Sequence, residues 1–136
     1  MVKMVIFDFN RTLYDPVEKK VIEGSVELLQ SLKPDHILIL ISFDKENRNI
    51  IAQGLFGSYF TEMLFVSEKT TTLVKDILQK YHCNPAECAI IGDTFEDEIV
   101  IGKQLGCLTI HFNPGLPLPE APYTITELKE ALALLG

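Results

Sequence analysis

The chain has 136 residues, 47% hydrophobic and 23% charged. That is the length and composition of one globular domain able to bury a core, and it excludes a disordered or fibrous segment. A formal net charge of −7 argues against generic binding to nucleic acid or to an anionic membrane surface.

No apolar run approaches the roughly 20 residues that a membrane span needs. The opening MVKMVIFDFN meets aspartate before any small-residue cleavage site, so a cytoplasmic protein without a signal peptide is expected. Cys83, Cys88 and Cys107 are an odd number of thiols, which an intracellular chain keeps reduced. His82, Cys83 and Cys88 fit no paired zinc spacing, and the thiols read as buried or incidental.

Taken in chain order, MVIF (4–7) is the first of five short apolar runs, and it ends on Asp8. A polar stretch, LYDPVEKKVI, precedes a helical face made by Val26, Leu29 and Leu32. The second run, ILILI (37–41), leads to Ser42, and the third, MLFV (63–66), leads to Ser67 and Lys69. Leu73, Val74, Ile77, Leu78 and Tyr81 then repeat at helical spacing. AII (89–91) leads to Asp93, and Asp97 follows one turn later if a helix begins near Thr94. Ile99, Val100 and Leu105 share another face before LTI (108–110). NPGLPLPEAP (113–122) reads as a surface loop. A last helix carries Ile125, Leu128, Leu132 and Leu135, with Thr124 and Glu127 spaced as a capping box.

Continuous apolar strands are buried on both faces, and alternation with helices implies a parallel sheet wrapped on both sides. The expected fold is α/β: a single Rossmann-like three-layer domain over 1–136, with a five-stranded parallel sheet. In such sheets ligands bind beyond the carboxyl ends of the strands. Asp8, Ser42, Lys69, Asp93 and Asp97 all fall at that edge. Clustered carboxylates repel unless a cation joins them. All-oxygen donors suit a hard ion, Mg²⁺, which bridges to phosphate. Lys69 and the Ser42 hydroxyl are suited to phosphate oxygens, and Asp8 to attack on phosphorus. Taken singly, Ser42 or Asp44 could cap the next helix, and Thr12 reads as support for the first loop.

DFNRT (8–12), Ser42, Lys69 and GDTFED (92–97) resemble, in order, the four motifs of the haloacid dehalogenase (HAD) superfamily, whose first motif is D-x-D-x-T. The resemblance runs through the whole chain. It implies that Asp8 is both nucleophile and metal ligand, and that Ser42 and Lys69 bind phosphate. It also implies that the Asn10 backbone carbonyl, Asp93 and Asp97 hold Mg²⁺, Asp97 directly or through water. Family members often carry a cap domain; the gaps from Thr12 to Ser42 and from Ser42 to Lys69 are too short for one. An open site is therefore expected, unless a second copy of the chain covers it.

Two departures from the family pattern matter. Asn10 stands where the family has the aspartate that protonates the leaving group. Its absence removes about 3–5 kcal/mol of transition-state stabilisation, and Asn10→Asp is expected to restore it. Arg11 replaces the family's usual glycine and either reaches a substrate anion or lies exposed. The expected function is a Mg²⁺-dependent phosphohydrolase forming an aspartyl-phosphate, slow or limited to good leaving groups, acting on a phosphorylated small molecule or phosphoprotein. The alternative is a catalytically silent phosphate- or protein-binding module on the same scaffold. A phosphoacceptor receiver domain fails on motif order.

Overall fold

The computed structural model describes residues 1–94, 99–112 and 124–135. Every apolar run marked above is a strand. β1 (Met4–Phe7) is followed by a small hairpin, β2 (Tyr14–Asp15) and β3 (Lys20–Val21), and by α1 (Ser25–Leu32). Next come β4 (Ile37–Phe43), α2 (Arg48–Phe56), β5 (Glu62–Val66) and α3 (Thr71–Lys80). A 3-10 turn at Pro85–Glu87 enters β6 (Cys88–Gly92), which leads to α4 (Val100–Leu105) and β7 (Leu108–Phe112). β8 (Thr124–Ile125), a 3-10 turn at Leu128–Glu130 and α5 (Ala131–Leu135) complete the described chain.

The main sheet has the order β5-β4-β1-β6-β7-β8, and all its pairings are parallel. It has six strands, where five are expected. The extra strand is β8, whose Thr124 and Ile125 pair with His111 and Phe112. The sequence spacing predicts a helix starting at these two residues; Ile125 instead sits 3% exposed at the sheet's edge. A two-residue strand followed by a tight turn meets the core at the same spacing as a helix, so periodicity does not separate them. The capping box at this end joins Glu127 and Glu130.

Alternate residues of the central strands feed two separate cores. Val5, Phe7, Leu38, Leu40, Ala89 and Ile91 pack with Leu28, Leu29 and Leu32 of α1, Phe56 of α2 and Leu135 of α5. Met4, Ile6, Ile39, Ile41, Cys88 and Ile90 pack with Val74, Ile77 and Leu78 of α3 and Ile101 of α4. This two-sided burial is why the central strands carry unbroken apolar runs rather than alternating ones. The three thiols are free and buried. Among the described residues no helix is long and apolar enough to cross a membrane.

Gly102 lets α4 lie close on β7. A Cβ there would come 2.3 Å from Thr109 Cγ2. Between Asp8 and Lys69 the chain holds only the β2–β3 hairpin, α1, β4, α2 and β5, and the small size is consistent with no cap.

Candidate active site

The strand order reverses at β1, which has β4 on one side and β6 on the other. This is the switch point where the loops diverge and leave a crevice. Asp8 is the first residue past β1, held by its N–H donating to Ile91 O of β6 at 3.1 Å. Beyond it the chain turns tightly, as the N–H groups of Thr12, Leu13 and Tyr14 converge on Phe9 O at 3.3, 2.9 and 3.2 Å. Phe9 and Tyr14 stack at 5.1 Å and anchor the turn in the core. Arg11 sits in this turn at φ 63° with its side chain exposed. The left-handed backbone gives a physical reason for glycine at this position.

Lys69, beyond β5, donates from Nζ to Asp8 Oδ1 at 2.7 Å. The two side chains are 6% and 9% exposed, and the ammonium lies 5.0 Å from the centre of the Phe43 ring. The absence of room for a cap predicts an exposed Asp8; the structure buries it, at 7% exposure. Part of the cover is Lys69 itself, which closes over the carboxylate with the Phe43 ring against it. Buried charges of opposite sign require this proximity, because neither could be desolvated alone at tolerable cost.

Asp93 follows β6. Burial, then its contact with Asp8 and the charge of that carboxylate, push its carboxyl up to about 6. Thr94 Oγ1 donates to Asp93 Oδ1 at 3.2 Å. His111 of β7, 3% exposed, meets the Asp93 carbonyl oxygen with Nε2 at 3.0 Å. A carbonyl only accepts, so Nε2 carries the proton.

Ser42 lies in β4 and is fully buried. Its hydroxyl makes one long contact, donating to Phe43 O at 3.4 Å, and remains able to accept. Neither Ser42 nor Asp44 caps α2, whose N-cap is Asn47 at φ 60° with no side-chain bond.

Asn10 is 8% exposed. Its amide satisfies its neighbours with the oxygen turned to Arg48, accepting from Nη2 and Nε, both at 3.0 Å. Its backbone carbonyl accepts no hydrogen bond from any described residue.

The structure thus brings Asp8, Lys69 and Asp93 together and sets Asn10 two residues beyond Asp8. Asp97 and the stretch 113–122 lie outside the described residues. No sequence pattern singles out Arg48, His111 or Thr94. Arg48 stands at a helix start where a basic residue is ordinarily solvated, and His111 looks like one polar letter in an apolar strand.

Two adjoining carboxylates and an unclaimed main-chain carbonyl are hard oxygen donors. A proton drawn to Asp93 at a pH where most carboxyls are ionised marks negative charge in want of a cation. The donor set therefore fits Mg²⁺. Among the described residues, no three His, Cys, Asp or Glu side chains gather as a complete metal cluster.

The HAD-hydrolase-like family model matches residues 69–121. No curated protein matches the sequence. Several solved structures share the fold. A HAD-superfamily hydrolase, subfamily IA, variant 1, from Geobacter sulfurreducens PCA superposes with TM-score 0.82 at 16% identity, over 99% of this chain and 97% of that one. A HAD phosphatase from Thermococcus onnurineus gives TM-score 0.83 at 14% identity, over 99% and 98%. A putative HAD-hydrolase from Bacillus subtilis, bound to magnesium, gives TM-score 0.74 at 20% identity, over 88% of this chain and 58% of that one. The fold is that of HAD-superfamily hydrolases.

Proposed function

We propose that the protein is a Mg²⁺-dependent phosphohydrolase in which Asp8 attacks phosphorus and becomes an aspartyl-phosphate. The observation that carries this reading is the buried contact of Lys69 Nζ with Asp8 Oδ1 at 2.7 Å, beside Asp93 at the sheet's switch point. Lys69 holds Asp8 Oδ1, and the second carboxylate oxygen would be the one to attack phosphorus. The same ammonium offers charge to the phosphoryl oxygens, and the buried Ser42 hydroxyl lies on the next strand to help hold them. Asp8, the Asn10 carbonyl and Asp93 would hold Mg²⁺, with Asp97 directly or through water. When bound, the ion supplies charge neutralisation between the carboxylates and the phosphate. The magnesium found in the Bacillus subtilis neighbour supports this assignment. Substrates are phosphorylated small molecules or phosphoproteins, and a second copy of the chain covering the crevice would act as a cap. A cytoplasmic site of action fits the three free thiols.

Asn10 favours a second reading. An amide neither donates a proton to a leaving group nor takes one from water, as a phosphate- or protein-binding module without turnover would tolerate. Hydrolysis of p-nitrophenyl phosphate with Mg²⁺ separates the two. The enzyme reading expects measurable turnover that Asp8→Asn abolishes. A wild type no faster than Asp8→Asn on this ester and on acetyl phosphate alike overturns the enzyme reading and leaves the binding module.

A further inference from the structure

On the flank of Asn10 the β2–β3 hairpin and the start of α2 enclose a pocket of about 300 Å³, lined among others by Asn10, Tyr14, Lys19, Glu46, Arg48 and Ile51. Arg48 is half-buried there and gives two of its N–H groups to Asn10 Oδ1. A guanidinium has five such donors in a rigid plane. The remaining three, on Nη1 and Nη2, meet no acceptor among the described residues. Asn10 thus grips one edge of the guanidinium of a residue that lines the pocket, and leaves its end-on fork uncommitted. That fork matches the two oxygens of a carboxylate.

We infer that Arg48 receives the leaving group as an oxyanion, and that the substrates are acyl phosphates, mixed anhydrides of a carboxylic acid and phosphoric acid. The inference rests on the phosphohydrolase reading and names its substrate class. Neither Asn10 nor Arg48 can serve as a general acid: an amide has no acidic proton, and a guanidinium is not deprotonated in proteins. A leaving group on this side must therefore depart unprotonated, which a carboxylate does readily and an alkoxide does not.

The steps balance without a protein acid. An Asp8 carboxylate oxygen forms a bond to phosphorus as the bond from phosphorus to the acyl oxygen breaks. The electron pair stays on that oxygen, and the carboxylate leaves against the Arg48 fork. Water then attacks phosphorus, the bond to Asp8 breaks, and Asp8 is restored. An acyl phosphate dianion and water give one carboxylate and one dihydrogen phosphate.

The test is hydrolysis of acetyl phosphate and of p-nitrophenyl phosphate with Mg²⁺, by wild type, Arg48→Gln, Arg48→Lys, Glu46→Gln and Asp8→Asn, each checked for folding by its melting temperature. Arg48→Gln is expected to lower kcat/KM for acetyl phosphate by about 10²-fold. Its effect on the aryl ester, whose leaving oxygen has no second oxygen on the same carbon, should be several-fold smaller. Arg48→Lys keeps the charge without the fork and should fall between, which also serves should Arg48→Gln not fold. Glu46→Gln, which removes a carboxyl at the rim and leaves the fork intact, should lower acetyl phosphate turnover by less than Arg48→Gln does. An active wild type whose acetyl phosphate turnover is insensitive to both Arg48 variants overturns this inference and leaves the phosphohydrolase reading standing. So does a loss in Glu46→Gln equal to that in Arg48→Gln, because the rim carboxyl would then be protonating the leaving group. Wild type and Asp8→Asn equally inert on both substrates overturn the reading and this inference together.

Discussion

Lys69 reaches back 61 residues to place Nζ 2.7 Å from Asp8 Oδ1, and both side chains are almost wholly removed from water. Position 69 precedes α3 and position 8 follows β1, so the pair joins two loops across the carboxyl edge of the sheet. Such a contact holds the edge together, and in the proposed reaction it would also set the nucleophile.

Breaking it from one side should be costly. Lys69→Met leaves a buried carboxylate beside Asp93 with no cation and is expected to lower stability by about 3–5 kcal/mol. The double variant Asp8→Asn/Lys69→Met should recover about 1–3 kcal/mol of that loss. Urea unfolding of the four proteins measures the coupling. Strict additivity would show that the two groups do not depend on each other.

The carboxyl of Asp93 is raised from 3.8 to about 6 in the folded chain, by burial and by Asp8. A group whose folded value lies above its unfolded one stabilises most below the unfolded value, here below pH 4. That contribution is lost as pH rises through about 6. Without divalent metal the protein should therefore lose stability between about pH 4 and 6.5. With Asp93 as a ligand, millimolar Mg²⁺ would compete with this proton, and its stabilising effect should grow over the same interval. Melting temperatures across roughly pH 4.5–7.5 test it, and a Mg²⁺ effect independent of pH would count against Asp93 as a ligand.

Restoring a carboxylate at position 10 meets an obstacle that the sequence did not show. The carboxylate introduced by Asn10→Asp would take the same bidentate contact from Arg48 at about 3.0 Å, and a carboxylate so paired stays ionised. Asn10→Asp alone is expected to raise alkyl phosphate turnover less than about threefold. Adding Arg48→Gln releases the carboxyl to act as an acid and should raise turnover about 10²-fold over the single variant. A full gain from Asn10→Asp alone would show that Arg48 does not restrain this position.

Gly102→Ala drives a methyl to 2.3 Å from Thr109 Cγ2, inside the packing of α4 on β7. Overpacking of this kind costs about 1–3 kcal/mol. Thr109→Ser removes the opposing methyl and should return part of that loss in the double variant. Thermal or urea unfolding reads both. A Gly102→Ala protein as stable as wild type would mean that α4 shifts away from the sheet at no cost.

Local sequence alone determined a good deal. The runs at 4–7, 37–41, 63–66, 89–91 and 108–110 each became a strand, because parallel strands covered on both faces demand unbroken apolar stretches. Asp8 and Asp93 fell just past strand ends, and Lys69 opened the segment before α3, since the spacing from an apolar run to a polar residue survives folding.

Tertiary structure decided the rest. Strand order, which puts β6 rather than a sequence neighbour beside β1, depends on crossovers that no local pattern encodes. β8 escaped notice because two residues carry too little periodicity to separate strand from helix. Asp8 is buried in contact with Lys69, a residue with no local relation to it in sequence. Arg48 looked like an ordinary surface cation at the head of a helix. Only the arrival of Asn10 from the neighbouring strand's loop gives its guanidinium a fixed edge and a direction. A residue type states which bonds a side chain is able to make, and the fold alone states which partners come within reach.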